Sequence, residues 1–276
     1  MKMIRILALI YLYLVPIVVA IIGFRVGHVH YQTYVPLWLI HVGLVSLAVG
    51  SLSRGKGYLE PENRALKIGA VFLLIPWVLF SLFAGMGQPP ATPQAWLASL
   101  TEQQVRYSIL ILGGVSSLVG FAILKMYLKG GRLFASLGFA LFSLALPLFV
   151  LNMAYWGYYL PEAFRSFLSD ETAPRPDWYQ AVRSLFYVIS SVEVALLYLS
   201  TIFFALGLKE ARMLSNSSCR WYQIFGMLGA VLVLVPQSWP GLFSTLSYFV
   251  AIPAIPFIMP YLMGIQVLKK TRNPEI

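Results

Sequence analysis

One carboxylate stands inside an apolar run: Glu193, near the middle of Leu185–Leu206. In hydrocarbon an unpaired charge costs ~2.5–3.5 kcal/mol on insertion scales, so this group has to be neutral, paired or facing a wet cavity. A carboxyl held that way can relay protons, coordinate a cation or accept a hydrogen bond from a polar ligand. The same side chain, protonated and bonded to a neighbouring helix, is structural glue. Both readings stay open at the level of sequence.

The three histidines, His28, His30 and His41, lie within fourteen residues of one another. A His-x-His pair on extended backbone puts both rings on one side, and His41 on the next helix would complete a copper or zinc site. No carboxylate or thiolate neighbours them in sequence, and isolated loop histidines are the bland alternative. A haem ligated by two of these histidines is disfavoured, because no second helix supplies an opposed histidine.

The last apolar stretch carries Pro253, Pro256 and Pro260, at spacings of three and four. Each proline deletes an amide donor and disfavours the preceding turn, which leaves carbonyls without partners. In a bilayer such backbone has to be buried in protein or line a cavity. Broken helices of this kind bind ions and substrates in transporters, whereas a kinked packing helix is the commoner case. Glu193, His41 and the three prolines are therefore the candidate residues of a ligand-binding or proton-relay site.

Motif searches beyond these residues return nothing: no phosphate-binding glycine loop, no dinucleotide fingerprint, no H-E-x-x-H and no paired carboxylates on one span. No catalytic residue is assigned, and an enzyme is not the favoured reading. The single Cys219 excludes an internal disulfide and a multi-thiolate metal site. Asn216-Ser-Ser218 matches a glycosylation acceptor, yet the topology below puts it in the cytoplasm.

The elements that position these residues follow from composition. Hydrophobic residues make up 59% of the 276-residue chain and charged residues 11%, with a mean hydropathy of +0.77. Soluble domains carry roughly 25% charged residues, so a water-soluble fold is excluded. Apolar runs at Ile4–Phe24, Tyr34–Leu52, Ala65–Gly85, Tyr107–Leu128, Leu133–Leu151, Leu185–Leu206, Trp221–Val235 and Leu242–Leu268 predict about eight transmembrane helices. The seventh is the shortest, and Pro236-Gln-Ser-Trp-Pro240 then forms a hairpin link. The first run is read as a retained span, because it exceeds a signal h-region and lacks an A-x-A-like cleavage site before Arg25.

Lys and Arg set the orientation. With the N-terminus inside, fifteen of the twenty basic residues fall in the cytoplasm, and Arg25, Arg106, Arg165, Arg175 and Arg183 fall outside. The expectation is a plasma (inner) membrane protein with both termini cytoplasmic. The net charge of +10 is thus a matter of topology, and no nucleic-acid partner is implied. On the outer side, Thr92-Pro93 through Leu100 predicts a short interfacial helix, and Thr101-Glu-Gln-Gln104 a capping box for the fourth span. Tyr155, Trp156, Tyr158 and Tyr159 suit the headgroup layer.

Gly69-Ala-Val-Phe-Leu-Leu-Ile-Pro76 and Gly229-Ala-Val-Leu-Val-Leu-Val-Pro236 share the pattern G-A-V-x-x-L-[IV]-P. This suggests two tandem four-helix units, residues 1–128 and 129–276, forming a parallel 4+4 repeat about an axis along the membrane normal. Glu193 and His41 would then flank an interface between the units. In architecture alone the arrangement is similar to the quinone-interacting membrane subunits of bacterial respiratory complexes, and no signature residue carries over. Three functional readings follow. The first is binding or transport of a small apolar or amphipathic ligand, or an ion, through an intramembrane cavity, with no resident cofactor. The second is a quinone- or metal-handling subunit of a redox complex, and the third a structural protein contacting only lipids and other chains.

Overall fold

The computed structural model describes residues 2–53, 61–168, 176–236, 239 and 241–271, and these are all helical or connecting segments, with no strand among them. Helix α1 spans Lys2–Ile21 and runs into a π-helical turn at Ile22–Val26; α2 is Tyr31–Ser53 and α3 is Pro61–Ala84. The short α4, Pro93–Ala98, precedes α5, Leu100–Tyr127. Helix α6, Arg132–Ala154, passes through a π-helical turn at Tyr155–Tyr159 into α7, Leu160–Leu168. Then follow α8, Asp177–Glu210, and α9, Asn216–Val233. The last stretch is broken into α10, Gly241–Ala251, a 3-10 turn at Ile255–Phe257, and α11, Ile258–Lys270.

Among the described residues six helices are long and apolar enough to cross a membrane, seven if the α10–α11 pair, bent by 61°, counts as one span. The chain is therefore a membrane-embedded, all-helical protein. The expected seventh span is the helix α9, but its 18 residues begin with the polar run Asn216-Ser-Ser-Cys-Arg-Trp-Tyr-Gln, and it is not among the six. Within the predicted hairpin link, Trp239 N–H donates to the Pro236 carbonyl (3.1 Å), while Gln237, Ser238 and Pro240 lie outside the described residues. The basic residues Arg54, Lys56, Arg175 and Arg272 lie outside them too.

Prolines at 16, 36, 76 and 147 sit inside α1, α2, α3 and α6 without ending them, as expected where neighbouring helices re-satisfy the freed carbonyls. The predicted short helix forms: Ala95 N–H donates to Thr92 Oγ1 (3.3 Å), and Pro93 occupies the first turn. The capping box does not form. Helix α5 already begins at Leu100, so Thr101 is inside it, and Gln103 Nε2 reaches back to Ser99 Oγ (3.2 Å).

Consecutive helices pack side by side from α3 through α5, α6 and α8 to α9. The α1–α2 hairpin rests on α3, fixed by Tyr34 Oη donating to the Ser81 carbonyl (2.5 Å) and Trp38 Nε1 to the Val78 carbonyl (2.9 Å). Helix α11 inserts among α1, α2, α3 and α8, and its Tyr261 Oη donates to the Leu12 carbonyl (2.8 Å). Packing thus joins the last helix to the first three. Of the shared G-A-V motif, Pro76 is buried within α3, whereas Pro236 follows the end of α9.

One end of the bundle collects most of the cations. There Lys129 pairs with Glu62 (2.6 Å), Lys67 Nζ donates to the Ser53 carbonyl (3.0 Å), and Lys269 and Lys270 close α11. We call this the basic end. At the opposite end Arg106 is buried. It donates to the Met86 carbonyl (3.3 Å), and its guanidinium sits 5.9 Å from the Phe83 ring centre.

Candidate functional site

The broken helix borders a cavity. Pro253 cannot donate to the Phe249 carbonyl, which takes Ile252 N–H instead (3.3 Å), and Pro256 leaves the Ile252 carbonyl to Ile255 N–H (2.9 Å). The Val250 carbonyl is satisfied from outside the helix, by Tyr198 Oη of α8 at 3.1 Å. Pro260 falls in the first turn of α11, where amides lack intrahelical acceptors, so it starts a helix rather than breaking one. Phe257 anchors the break at the bundle centre, 1% exposed, with ring centroids 5.4–6.5 Å from those of Phe149, Phe80 and Phe142.

Beside this break lies a groove of about 490 Å³. Tyr13 of α1 and Tyr198 of α8 form its back, and one wall is Ser218, Trp221, Tyr222, Phe225, Leu228 and Gly229 of α9. The other is Val250, Ile255, Ile258, Met259, Leu262 and Gln266 of the broken helix. Among the described residues no Lys, Arg, His, Asp or Glu lines it. The rim residues Trp221, Phe225 and Leu228 are each more than half exposed, so the groove opens sideways, where a bilayer would surround the helix.

Helix α9 leaves the basic end and α11 returns to it, so Ser218, Tyr222 and Gln266 mark the groove's basic end, while Gly229, Val250 and Ile255 lie deep. Eleven residues of helix separate Ser218 from Gly229, about 16 Å at 1.5 Å per residue. Gln266 Nε2 donates to Tyr13 Oη at 2.9 Å, which ties α11 to α1 at the polar end. The result is an uncharged, one-sided slot, polar at one end and apolar at the other.

Glu193 lies elsewhere. It is 0% exposed on α8, and Asn152 Nδ2 of α6 donates to its Oε1 at 3.0 Å. Trp156 Nε1 donates in turn to Asn152 Oδ1 (3.0 Å). Glu193 Oε2 is buried with no hydrogen-bond partner among the described residues. This Trp156–Asn152–Glu193 chain clips α6 to α8, the arrangement expected of polar glue in a bilayer. Asn152 was not among the sequence candidates, although a lone carboxamide just past the apolar run Leu133–Leu151 is a visible signal.

An Asn152→Leu variant is expected to lose about 1–2 kcal/mol of unfolding free energy, since it strands the Glu193 carboxyl. Glu193→Gln is expected to stay within about 0.5 kcal/mol of wild type, because its amide oxygen still accepts from Asn152. Unfolding from mixed micelles with a denaturing detergent measures both. Equal losses in the two variants would contradict the clip.

The structure does not bring the three histidines to one point. His41 is hydrogen-bonded through Nδ1 to Tyr11 Oη (2.6 Å), His30 lies against Tyr31 (ring centres 4.7 Å apart), and His28 Nε2 meets Glu102 Oε1 at 3.0 Å. Glu102 is a carboxylate partner that sequence proximity could not reveal. Among the described residues no group of three His, Cys, Asp or Glu side chains is placed to hold a metal ion. His41 and Glu193 share no partner, and neither lines the groove.

The aromatic segment also departs from a simple headgroup belt. Tyr155 is 2% exposed and stacks on Phe186 at 4.0 Å, and Trp156 is engaged by Asn152; only Tyr158 and Tyr159 are exposed. The π-helical turn re-aims the first two rings inward.

No protein-family model, curated protein or solved structure matches the chain. The fold and the groove therefore define it only as a polytopic helical membrane protein with a laterally open apolar slot.

Proposed function

We propose that the protein binds a small amphipathic molecule, taken laterally from the bilayer, in the groove between α1, α9 and the broken α10–α11 segment. The observation that carries this reading is the groove itself. Its volume falls in the ~300–1,000 Å³ range of small-molecule sites, no charged side chain lines it among the described residues, and the helix break at Pro253 and Pro256 adjoins its deep end through Val250 and Ile255. Irregular backbone at membrane depth is tolerated where it is buried or lines a cavity, and both conditions meet there.

On this reading α9 is a further span, which makes eight crossings and puts both termini on one side. The fifteen-to-five distribution of Lys and Arg supports a cytoplasmic basic end in a plasma (inner) membrane. The tandem 4+4 origin rests on sequence: the shared G-A-V motif, the preceding Arg64 and Arg220, Pro16 and Pro147 in the first and fifth spans, and the basic inner ends of the fourth and eighth. Binding and transport share the same first step, and a slot open to the bilayer supports binding.

The reading is tested by purifying the chain in a mild detergent, washing out loosely held lipid and extracting what is retained. Mass spectrometry is expected to find close to one small amphiphile per chain. Recovery of nothing beyond bulk phospholipid would overturn it.

A further inference from the structure

We infer that the occupant of the groove is an uncharged amphiphile whose head presents a carbonyl oxygen to Tyr13, Tyr222 and Ser218, with its apolar tail running toward the break at Val250 and Ile255. This rests on the reading of the groove as a binding site and adds the chemistry and direction of the ligand.

Tyr13 Oη accepts from Gln266 Nε2 (2.9 Å), and Ser218 Oγ accepts from Ser215 Oγ (2.9 Å), so in each case the hydroxyl's own proton is left to point elsewhere. The Tyr222 hydroxyl makes no hydrogen bond to any described residue, and it is not sealed from the groove. Tyr13 and Tyr222 both line the groove. Tyr198 differs, since its proton is engaged by the Val250 carbonyl at the deep end. Donors without acceptors are thus gathered at one end of the slot.

A hydroxyl in apolar surroundings gains from a partner that supplies lone pairs, which a carbonyl does. Charge selects further. With no Lys or Arg among the described lining residues, a phosphate or carboxylate head would sit unpaired in a low-dielectric slot, and with no Asp or Glu among them an ammonium head would fare equally badly. The remaining wall, from Phe225 and Leu228 to Ile255, offers only apolar contact. A head-first orientation toward the basic end follows, with the tail about 16 Å deep along α9. Two sources supply this chemistry: a glycerol monoester of a fatty acid and a benzoquinone bearing an alkyl tail.

The test uses wild-type protein in lipid nanodiscs and the fluorescence of Trp221, quenched by a brominated monoacylglycerol. A Trp221→Phe sample supplies the background. Competitors of matched twelve-carbon tail are monolauroylglycerol, dodecyl-benzoquinone, dodecyl phosphate, laurate and dodecyltrimethylammonium. The inference requires that at least one neutral carbonyl head displaces the probe ten or more times better than every charged head, and the better of the two neutral heads identifies the source. It also requires that the Tyr13→Phe/Tyr222→Phe double variant weaken the neutral competitor about tenfold while quenching by a brominated alkane is unchanged. If charged heads compete equally, or the double variant binds the neutral head as wild type does, the head chemistry is wrong and the groove stands. If neither the brominated ester nor the brominated alkane quenches saturably, both the inference and the binding site fall.

Discussion

Gly138→Leu is expected to keep the protein from accumulating as a monodisperse folded species, whereas Gly43→Leu and Gly50→Leu leave yield and stability unchanged. Gly138 lies where α6 crosses α8. A Cβ there would stand 2.7 Å from Phe204 Cδ2 and 2.9 Å from the Ser200 carbonyl, the latter fixed in helical backbone. Ser200 Oγ also donates to the Gly138 carbonyl at 2.7 Å, a bond that requires this close approach. Overpacking typically costs about 1–3 kcal/mol, and losing the interhelical bond adds about 1 kcal/mol in a membrane. Two packed helices without a hydrophobic drive between them depend on such contacts. Gly43 and Gly50 of α2, by contrast, have nothing within 4 Å of a built Cβ. Detergent size-exclusion profiles and denaturing-detergent midpoints measure the contrast; a Gly138→Leu protein with a wild-type midpoint would show that α6 and α8 do not cross there.

The second large effect is predicted at Leu262. This residue is half-buried on α11 and faces the groove opposite α9. Replacing it with Trp puts an indole into the slot beside Ile258 and Gln266, where the wild type has space. Because the added volume enters a cavity and not the close-packed core of Phe257 and Tyr261, folding is expected to survive. Ligand retention should then fall at least tenfold, a loss of about 1.4 kcal/mol of binding free energy. Glu193→Gln, remote from the groove, is expected to leave retention unaltered. The reverse outcome, with Leu262→Trp retaining ligand and Glu193→Gln losing it, would move the site to the α6–α8 clip.

How much of this was legible in the sequence depended on which physical force wrote each feature. The bilayer compels long apolar helices, so runs such as Tyr107–Leu128 and Leu185–Leu206 could be read directly; the first lies in α5 up to its C-cap Leu128 and the second within α8. Local backbone chemistry was legible too. Thr92-Pro93 announced α4, and Pro253 and Pro256 announced a break that bends the chain by 61°. What stayed hidden was pairing. Lipid is as apolar as leucine, so periodicity does not tell which face of a span is buried. Nothing in the sequence around Glu193 points to Asn152, forty-one positions away, or around His28 to Glu102.

The groove was invisible for the same reason, since Tyr13, Tyr222 and Gln266 come from three helices and resemble ordinary span residues until packing assembles them. The histidine cluster misled because closeness in sequence is not convergence in space. His28 and His30 lie on the irregular connection that ends α1, and His41 turns toward Tyr11 on the face of α2 that packs on α1.

Titrating Trp221 fluorescence against a brominated single-chain amphiphile in nanodiscs tests the groove most directly. The account predicts quenching that saturates at one amphiphile per chain and disappears in Leu262→Trp. Quenching that instead rises in proportion to the amphiphile's mole fraction in the bilayer, and does so identically in wild type and Leu262→Trp, would mean that Trp221 reports only surrounding lipid and that no binding groove exists.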